Sequence, residues 1–239
     1  MAWLIARRAA LEALRDRLSL LVGLFFALVM PLGVLVLVVG PLATAADGRP
    51  DSVLGAGLSF YLLLVGVLPA FSAVGIAAGQ FAGEKERGIL TPLLASPASN
   101  LAIFAGKVLG AVIPPLIYAT AAEAVYAAGV AVLLGPTALR LLSAPLSVAT
   151  VLLVPAVTCF AAVVASLISS RVRTFNAAQQ LGGLALLPVW ALVFALAARL
   201  RELGPTALFA TVAALVVLDA VLTALAAATW RREEVLAQR

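Results

Sequence analysis

Residues 18–42 read LSLLVGLFFALVMPLGVLVLVVGPL and contain no charged side chain. A helix needs about 20 consecutive apolar residues to cross the hydrocarbon core of a bilayer, whereas a secretion signal has an apolar core of about 7–15 residues. We therefore interpret this stretch as a first membrane span that is retained, and not as a leader that is cleaved.

Five further apolar runs of similar length follow along the chain. Together with the first run they predict six spans, at residues 18–42, 53–80, 102–134, 146–169, 181–198 and 207–229. The composition agrees, because 64% of the 239 residues are hydrophobic and only 11% are charged, unlike a soluble enzyme or a disordered chain. The expected fold class is an all-α integral membrane protein with six transmembrane helices, forming a single transmembrane domain over residues 1–239.

Two features of the composition exclude classes of functional site. The chain has no histidine, which excludes Ser-His proteases, histidine-ligated haem and histidine-containing metal centres. Its single cysteine, Cys159, lies within an apolar run, so no intrachain disulfide can form. The net charge of +5 would suggest nucleic acid as a partner in a soluble protein, but here the basic residues lie between apolar runs. We expect no metal, no cofactor and no nucleic acid to bind this chain.

The distribution of Lys and Arg predicts that both termini are cytoplasmic. With the N-terminus inside, the cytoplasmic segments hold twelve of the sixteen basic residues, in agreement with the positive-inside rule. These twelve are Arg7, Arg8, Arg15, Arg17, Lys85, Arg87, Lys107, Arg171, Arg173, Arg231, Arg232 and Arg239. The outer four are Arg49, Arg140, Arg199 and Arg201.

Residues 1–17 have the periodicity of a separate amphipathic helix. One face carries leucines and the other carries charges, a pattern typical of a helix that lies on the membrane surface. The alternative is that the segment is only a charged flank of the first span. The apolar face holds Leu4, Leu11, Leu14 and Leu18, and the charged face holds Arg8, Glu12, Arg15 and Asp16.

The cytoplasmic loop at residues 81–100 reads FAGEKERGILTPLLASPASN. A dense group of charges is followed by Leu90, Leu93 and Leu94, whose spacing gives one apolar stripe on a helix. Pro97 would end this helix, and Ser99 or Asn100 would cap the next span. The pattern predicts a short surface helix that presents an apolar knob to a cytoplasmic partner. An ordinary solvated loop between two spans is the alternative.

The run EKERGILTPLLASPAS at 84–99, followed by Gly106 and Lys107, resembles the signature loop of the type-two ABC export permeases. The segments 169–173, 177–183 and 230–236 are similar to the fourth-to-fifth span connection and the C-terminal end of the same family. The resemblance therefore extends along the whole chain. The chain differs from the family pattern at Ile89, Thr91 and Asn100.

The resemblance implies the membrane-spanning permease subunit of an ATP-driven exporter in a bacterial or archaeal plasma membrane. Such permeases pair with a second copy or a paralogue, and each half binds a separate ABC ATPase through a coupling helix. The chain contains no G-x-x-x-x-G-K-[ST] loop, so we expect it not to be an enzyme, and ATP and Mg to be used by the partner. The alternatives are a haem-exporter-like permease and a scaffold or assembly factor that transports nothing. The implied ATPase-coupling residues are Glu84, Glu86, Gly88, Leu90, Leu93, Leu94 and Pro97.

Several residues within the spans are candidates for a pathway or for helix packing. Ionisable side chains in a span are costly and usually face the bundle interior, so polar residues there line a pathway or make a structural hydrogen bond. Glycines spaced by four form a smooth face for another helix, within one subunit or between two. We expect Lys107 to extend its ammonium group to the inner interface. The polar candidates are Glu123, Gln179, Gln180 and Asp219, and the packing candidates are Gly75, Gly79 and Gly83, with Gly106 and Gly110 on the third run.

Overall fold

The structure, a computed structural model, describes residues 1–44, 51–88, 98–142 and 144–229. Over these residues the chain is helical and has no strand, so the predicted all-α fold class is confirmed. Six helices are long and apolar enough to cross a membrane, as predicted, and we call them the first to the sixth span. They are Arg17–Leu42, Val53–Glu86, Asn100–Leu134, Thr150–Arg171, Phe175–Ala195 and Phe209–Ala228.

The first two spans are interrupted by π-helical turns. The N-terminal helix, Ala2–Arg15, precedes a first span built from Arg17–Leu24, Met30–Val34 and Gly40–Thr44, with π-helical turns at Phe25–Val29 and Leu35–Val39. The second span is built from Asp51–Val67, Ala70–Ala78 and the three-residue helix Glu84–Glu86, with a π-helical turn at Gly79–Gly83. It therefore ends later than the predicted residue 80, because the charged residues that follow the apolar run continue the same helix.

The remaining spans belong to longer helices. The third span is the helix Asn100–Leu134, which a 3-10 turn at Pro136–Leu141 follows. The fourth span lies in the helix Ala144–Arg171. The fifth and sixth spans lie in one helical segment, Phe175–Thr229, so the fifth begins earlier than the predicted residue 181. Residues 199–206, which separate the two predicted spans, are also helical in the structure.

The fifth and sixth spans both lie along the fourth. A methyl group placed on Gly182 would lie 3.4 Å from the Cβ atom of Ala165, and the carboxyl group of Asp219 lies beside the thiol of Cys159. These two positions on the fourth span are about 9 Å apart along its axis, whereas a straight helix from Gly182 to Asp219 would be roughly 55 Å long. The helical segment must therefore fold back between its two spans.

The N-terminal helix has two distinct faces. Trp3 and Leu4 are more than 60% exposed, so this part of the predicted apolar face lies on the surface of the chain. The opposite face consists of Ala6, Ala9, Ala10 and Ala13, which are buried, and it packs on the third span. Helices with small side chains at their contact can approach closely, and the alanine face uses this property.

Candidate functional site

The predicted coupling helix lies outside the described residues, since positions 89–97, which include Leu90, Leu93, Leu94 and Pro97, are not described. The residues on both sides of it are described. Gly88 has a φ of +70°, a conformation that favours glycine, and the chain leaves the second span there. On the other side, the Ser99 hydroxyl accepts a hydrogen bond from the Ala102 backbone N–H at 3.1 Å, so Ser99 provides the predicted cap of the third span.

Lys107 is only 2% exposed and lies inside the bundle, so the prediction that it reaches the interface is wrong. Its Nζ atom donates to Glu84 Oε2 at 2.6 Å and to the backbone carbonyl of Gln80, and it lies 4.9 Å from the centre of the Phe81 ring. Burying a lysine is costly unless an ion pair and hydrogen bonds replace its hydration. Lys107 has both, which explains why it stays within the bundle.

The π-helical turn at Gly79–Gly83 explains why Lys107 can reach the backbone of the second span. In a regular α-helix the N–H of Glu84 would donate to the carbonyl of Gln80. It donates instead to the carbonyl of Gly79, five residues earlier. The Gln80 carbonyl accepts from Lys107. A side chain of the third span thus supplies the hydrogen bond that this carbonyl lacks within the second span.

Ser169 of the fourth span is inserted into the same turn. Its hydroxyl accepts from the Ala82 N–H at 2.9 Å and donates to the Ala78 carbonyl at 3.0 Å. In an α-helix these two backbone groups would bond to each other. A side chain placed between them opens the helix locally, so the serine accounts for the irregular turn.

Glu86 links the second span to the start of the fifth. Its Oε1 atom accepts a hydrogen bond from the backbone N–H of Phe175 at 3.1 Å. The first N–H groups of a helix have no partner within the helix, and this end carries a partial positive charge. The carboxylate therefore satisfies and stabilises the start of the fifth span. Thr174 adds a second cap by accepting from the N–H of Ala177 at 3.2 Å.

Arg87 lies near the point where the N-terminal helix meets the first span. Asp16 caps the first span by accepting from the Ser19 N–H at 2.9 Å. This hydrogen bond, with a smaller contribution from the positive charge of Arg87, lowers the pKa of the Asp16 carboxyl. On the neighbouring turns, Arg8 pairs with Glu12 at 2.8 Å, which raises the pKa of the Arg8 guanidinium.

Residues 84–88, which we call the junction segment, thus connect several parts of the bundle. Glu84 binds the third span and Glu86 binds the fifth span by hydrogen bonds, while the positive charge of Arg87 lies near Asp16 at the start of the first. Gly88 then redirects the chain into residues 89–97. The junction segment is thus attached by hydrogen bonds to two other spans.

The glycine face of the second span lies against the fifth span of the same chain. Methyl groups placed on Gly75, Gly79 and Gly83 would lie 3.5–3.9 Å from Gln179 or Phe175. The contact requires only ordinary van der Waals separation. In the single chain this face is therefore occupied by the first turns of the fifth span.

The intramembrane polar candidates do not form one group. Glu123 lies beside Gly66 of the second span, where a methyl group would overlap its carboxyl, and Asp219 lies beside Cys159 of the fourth span. No hydrogen bond or ion pair joins the two acids within the part of the chain that the structure describes. Gln179 and Gln180 are exposed on the surface of the chain. The acids thus contact different parts of the bundle.

The model of one protein family matches most of the chain. This family is described as "ABC-2 type transporter", and the match covers residues 2–193. It includes the N-terminal helix, the junction segment, Lys107 and Ser169. No curated protein matches the chain significantly.

Proposed function

Since the chain belongs to the ABC-2 type transporter family, whose domain is the membrane component of ABC transporters, we propose that it is the permease subunit of an exporter powered by a separate ABC ATPase. ATP and Mg would bind to that partner. The permease would work as a pair, with a second copy or a paralogue, in a bacterial or archaeal plasma membrane. Its substrate would pass between the spans of the pair.

The observation that carries this proposal is the attachment of the junction segment. Glu84 and Glu86 are fixed to the third and fifth spans by hydrogen bonds of 2.6 and 3.1 Å. A loop that only joined two spans would need no such attachment. A loop that receives mechanical work needs it, because force applied to residues 89–97 must reach more than one helix to change the shape of the pathway.

We call residues 89–97 the coupling segment, and its apolar stripe would supply the affinity for the ATPase. Each leucine that becomes fully buried in a groove of the ATPase contributes about 1.5–3 kcal/mol. A few such anchors usually dominate an interface. We therefore expect Leu90, Leu93 and Leu94 to account for most of the binding free energy on the permease side.

Co-purification of the ATPase tests the proposal. We expect Leu94→Asp to insert normally and to lose the ATPase, because a charge would have to be buried in the groove. Gly88→Val should do the same, because a β-branched residue does not tolerate the positive φ of this position. The matched control is Leu133→Asn, since Leu133 is 52% exposed at the other end of the third span. A full complement of ATPase on the Leu94→Asp variant would contradict the assignment and favour a scaffold that does not transport.

A further inference from the structure

We propose that Lys107 and Ser169 are positioning residues that transmit the movement of the coupling segment from the second span to the third and fourth spans. The inference rests on the proposed function and adds the route of transmission. Both residues act on the π-helical turn at Gly79–Gly83.

The turn is the point at which the second span would otherwise absorb a movement. Two α-helical bonds are missing there, because the N–H groups of Ala82 and Glu84 donate to Ser169 and to the Gly79 carbonyl. Helices bend where their regular hydrogen bonds are interrupted. Without contacts from other spans at this turn, a displacement of residues 84–88 would bend the second span there. It would not be transmitted to the third and fourth spans.

Two neighbouring helices are attached across this turn. Lys107 connects the third span to the Gln80 carbonyl within the turn and to Glu84 just after it. Ser169 connects the fourth span to Ala78 and Ala82, before the turn and within it. A movement of Glu84 is therefore passed to two spans by short polar contacts at the place where the second span is weakest.

Stability alone gives little reason for this arrangement. A buried ion pair often contributes no more than well-packed apolar side chains of the same volume, and removing one partner is harmful mainly when the other stays buried. Glu84 is 26% exposed, so water can reach its carboxylate if Lys107 is replaced. The Lys107→Met variant should therefore fold, which makes its effect on transmission measurable.

Spin-label distances in the assembled transporter test the route. The labels would be placed at Val132→Cys and Phe209→Cys, which are 83% and 53% exposed at the ends of the third and sixth spans opposite to the junction segment. The background would be Cys159→Ser, and the wild-type chain would be reconstituted in nanodiscs with the ATPase that co-purifies with it. We expect ATP with vanadate to shift the distance between the labels in the wild-type chain.

Lys107→Met and Ser169→Ala should keep the resting distance, the bound ATPase and its hydrolysis of ATP, and should lose the shift. In Ser169→Ala the fourth span loses its attachment to the turn, because alanine can neither accept from the Ala82 N–H nor donate to the Ala78 carbonyl. The control is Arg8→Gln, which removes an ion pair whose side chains are 76% and 58% exposed and should leave the shift unchanged. A residue with a purely structural role would change the resting distance and not the response to nucleotide.

The outcomes separate the two proposals. If both variants shift as far as the wild type, the transmission route is wrong and the proposed function stands. If the wild-type chain binds no ATPase, the proposed function is wrong and the route falls with it. If Lys107→Met does not fold, Ser169→Ala decides, because it removes only a hydroxyl group.

Discussion

Gly110→Ala should release the N-terminal helix from the third span. The substituted methyl group would lie 2.5 Å from the Cβ atom of Ala9 and 3.0 Å from the carbonyl oxygen of Ala6. Both distances are shorter than ordinary van der Waals contact. A Cβ atom and a backbone oxygen cannot move aside by rotation of a side chain. The N-terminal helix must move outward or lose contact.

The expected change in the docking free energy follows from a comparison with a glycine that has free space around it. Overpacking of this kind costs about 1–3 kcal/mol, while replacing a helical glycine with alanine gains roughly 1 kcal/mol of helix propensity. Gly183→Ala gains the same propensity without the overlap, since nothing lies within 4 Å of a methyl group there. The difference between the two variants is therefore about 1–3 kcal/mol, which corresponds to a 5- to 150-fold change in the docking equilibrium.

Cysteine labelling can measure this equilibrium. Ala13→Cys would place a thiol on the buried alanine face, where Ala13 is 9% exposed, in a Cys159→Ser background. The rate of maleimide labelling in nanodiscs reports the undocked fraction. We expect faster labelling in Gly110→Ala than in Gly183→Ala by the factor above. Equal rates in the two variants would refute the close packing of the N-terminal helix on the third span.

Three further results are expected. A maleimide that cannot cross membranes should label Leu90→Cys only from the cytoplasmic side, and labelling from outside would overturn the topology that the positive-inside rule predicts. Asp219→Asn should keep assembly and most of the ATPase activity, because an amide of nearly the same shape fits beside Cys159; loss of both would show that the charge itself is needed. The cap formed by Asp16 has a lowered pKa, so its stabilisation is present above the usual pKa of an aspartate and is lost as the pH falls through the lowered value. Asp16→Asn should remove this part of the pH dependence in thermal melts, and an unchanged acid profile would argue against it.

The spans were predictable because their signal is local. An apolar run such as residues 18–42 identifies a span whatever its neighbours are, since the lipid is the partner that the run requires. The group of charges at residues 84–87 was also visible in the sequence, although the helix of the second span continues to Glu86 and does not end before them. The family resemblance rested on the same local pattern.

The partners of Lys107 and Ser169 were not predictable in this way. A lysine near the end of a span usually extends towards water, and nothing near Lys107 in the sequence shows that Glu84 lies within reach. The π-helical turn rotates Glu84 relative to a regular helix, and this turn depends on Ser169, 87 residues away from Ala82. A contact that one distant hydroxyl creates leaves no periodic signal in either segment.

The alanine face of the N-terminal helix was missed for a related reason. Four alanines between charged residues give a weak apolar signal compared with Leu4 and Leu11. Their importance follows from Gly106 and Gly110, which allow the two backbones to come together. Only the pairing of the two small-residue faces reveals the contact.

This pairing also sets an order of events during synthesis. The N-terminal helix leaves the ribosome about 100 residues before Gly110, which at about 5–20 residues per second corresponds to roughly 5–20 s. During that time its alanine face has no partner, and its exposed Trp3 and Leu4 can hold it at the lipid surface. The helix therefore uses its two faces in succession. The leucine face holds it at the membrane surface first, and the alanine face packs on the third span once that span has been inserted.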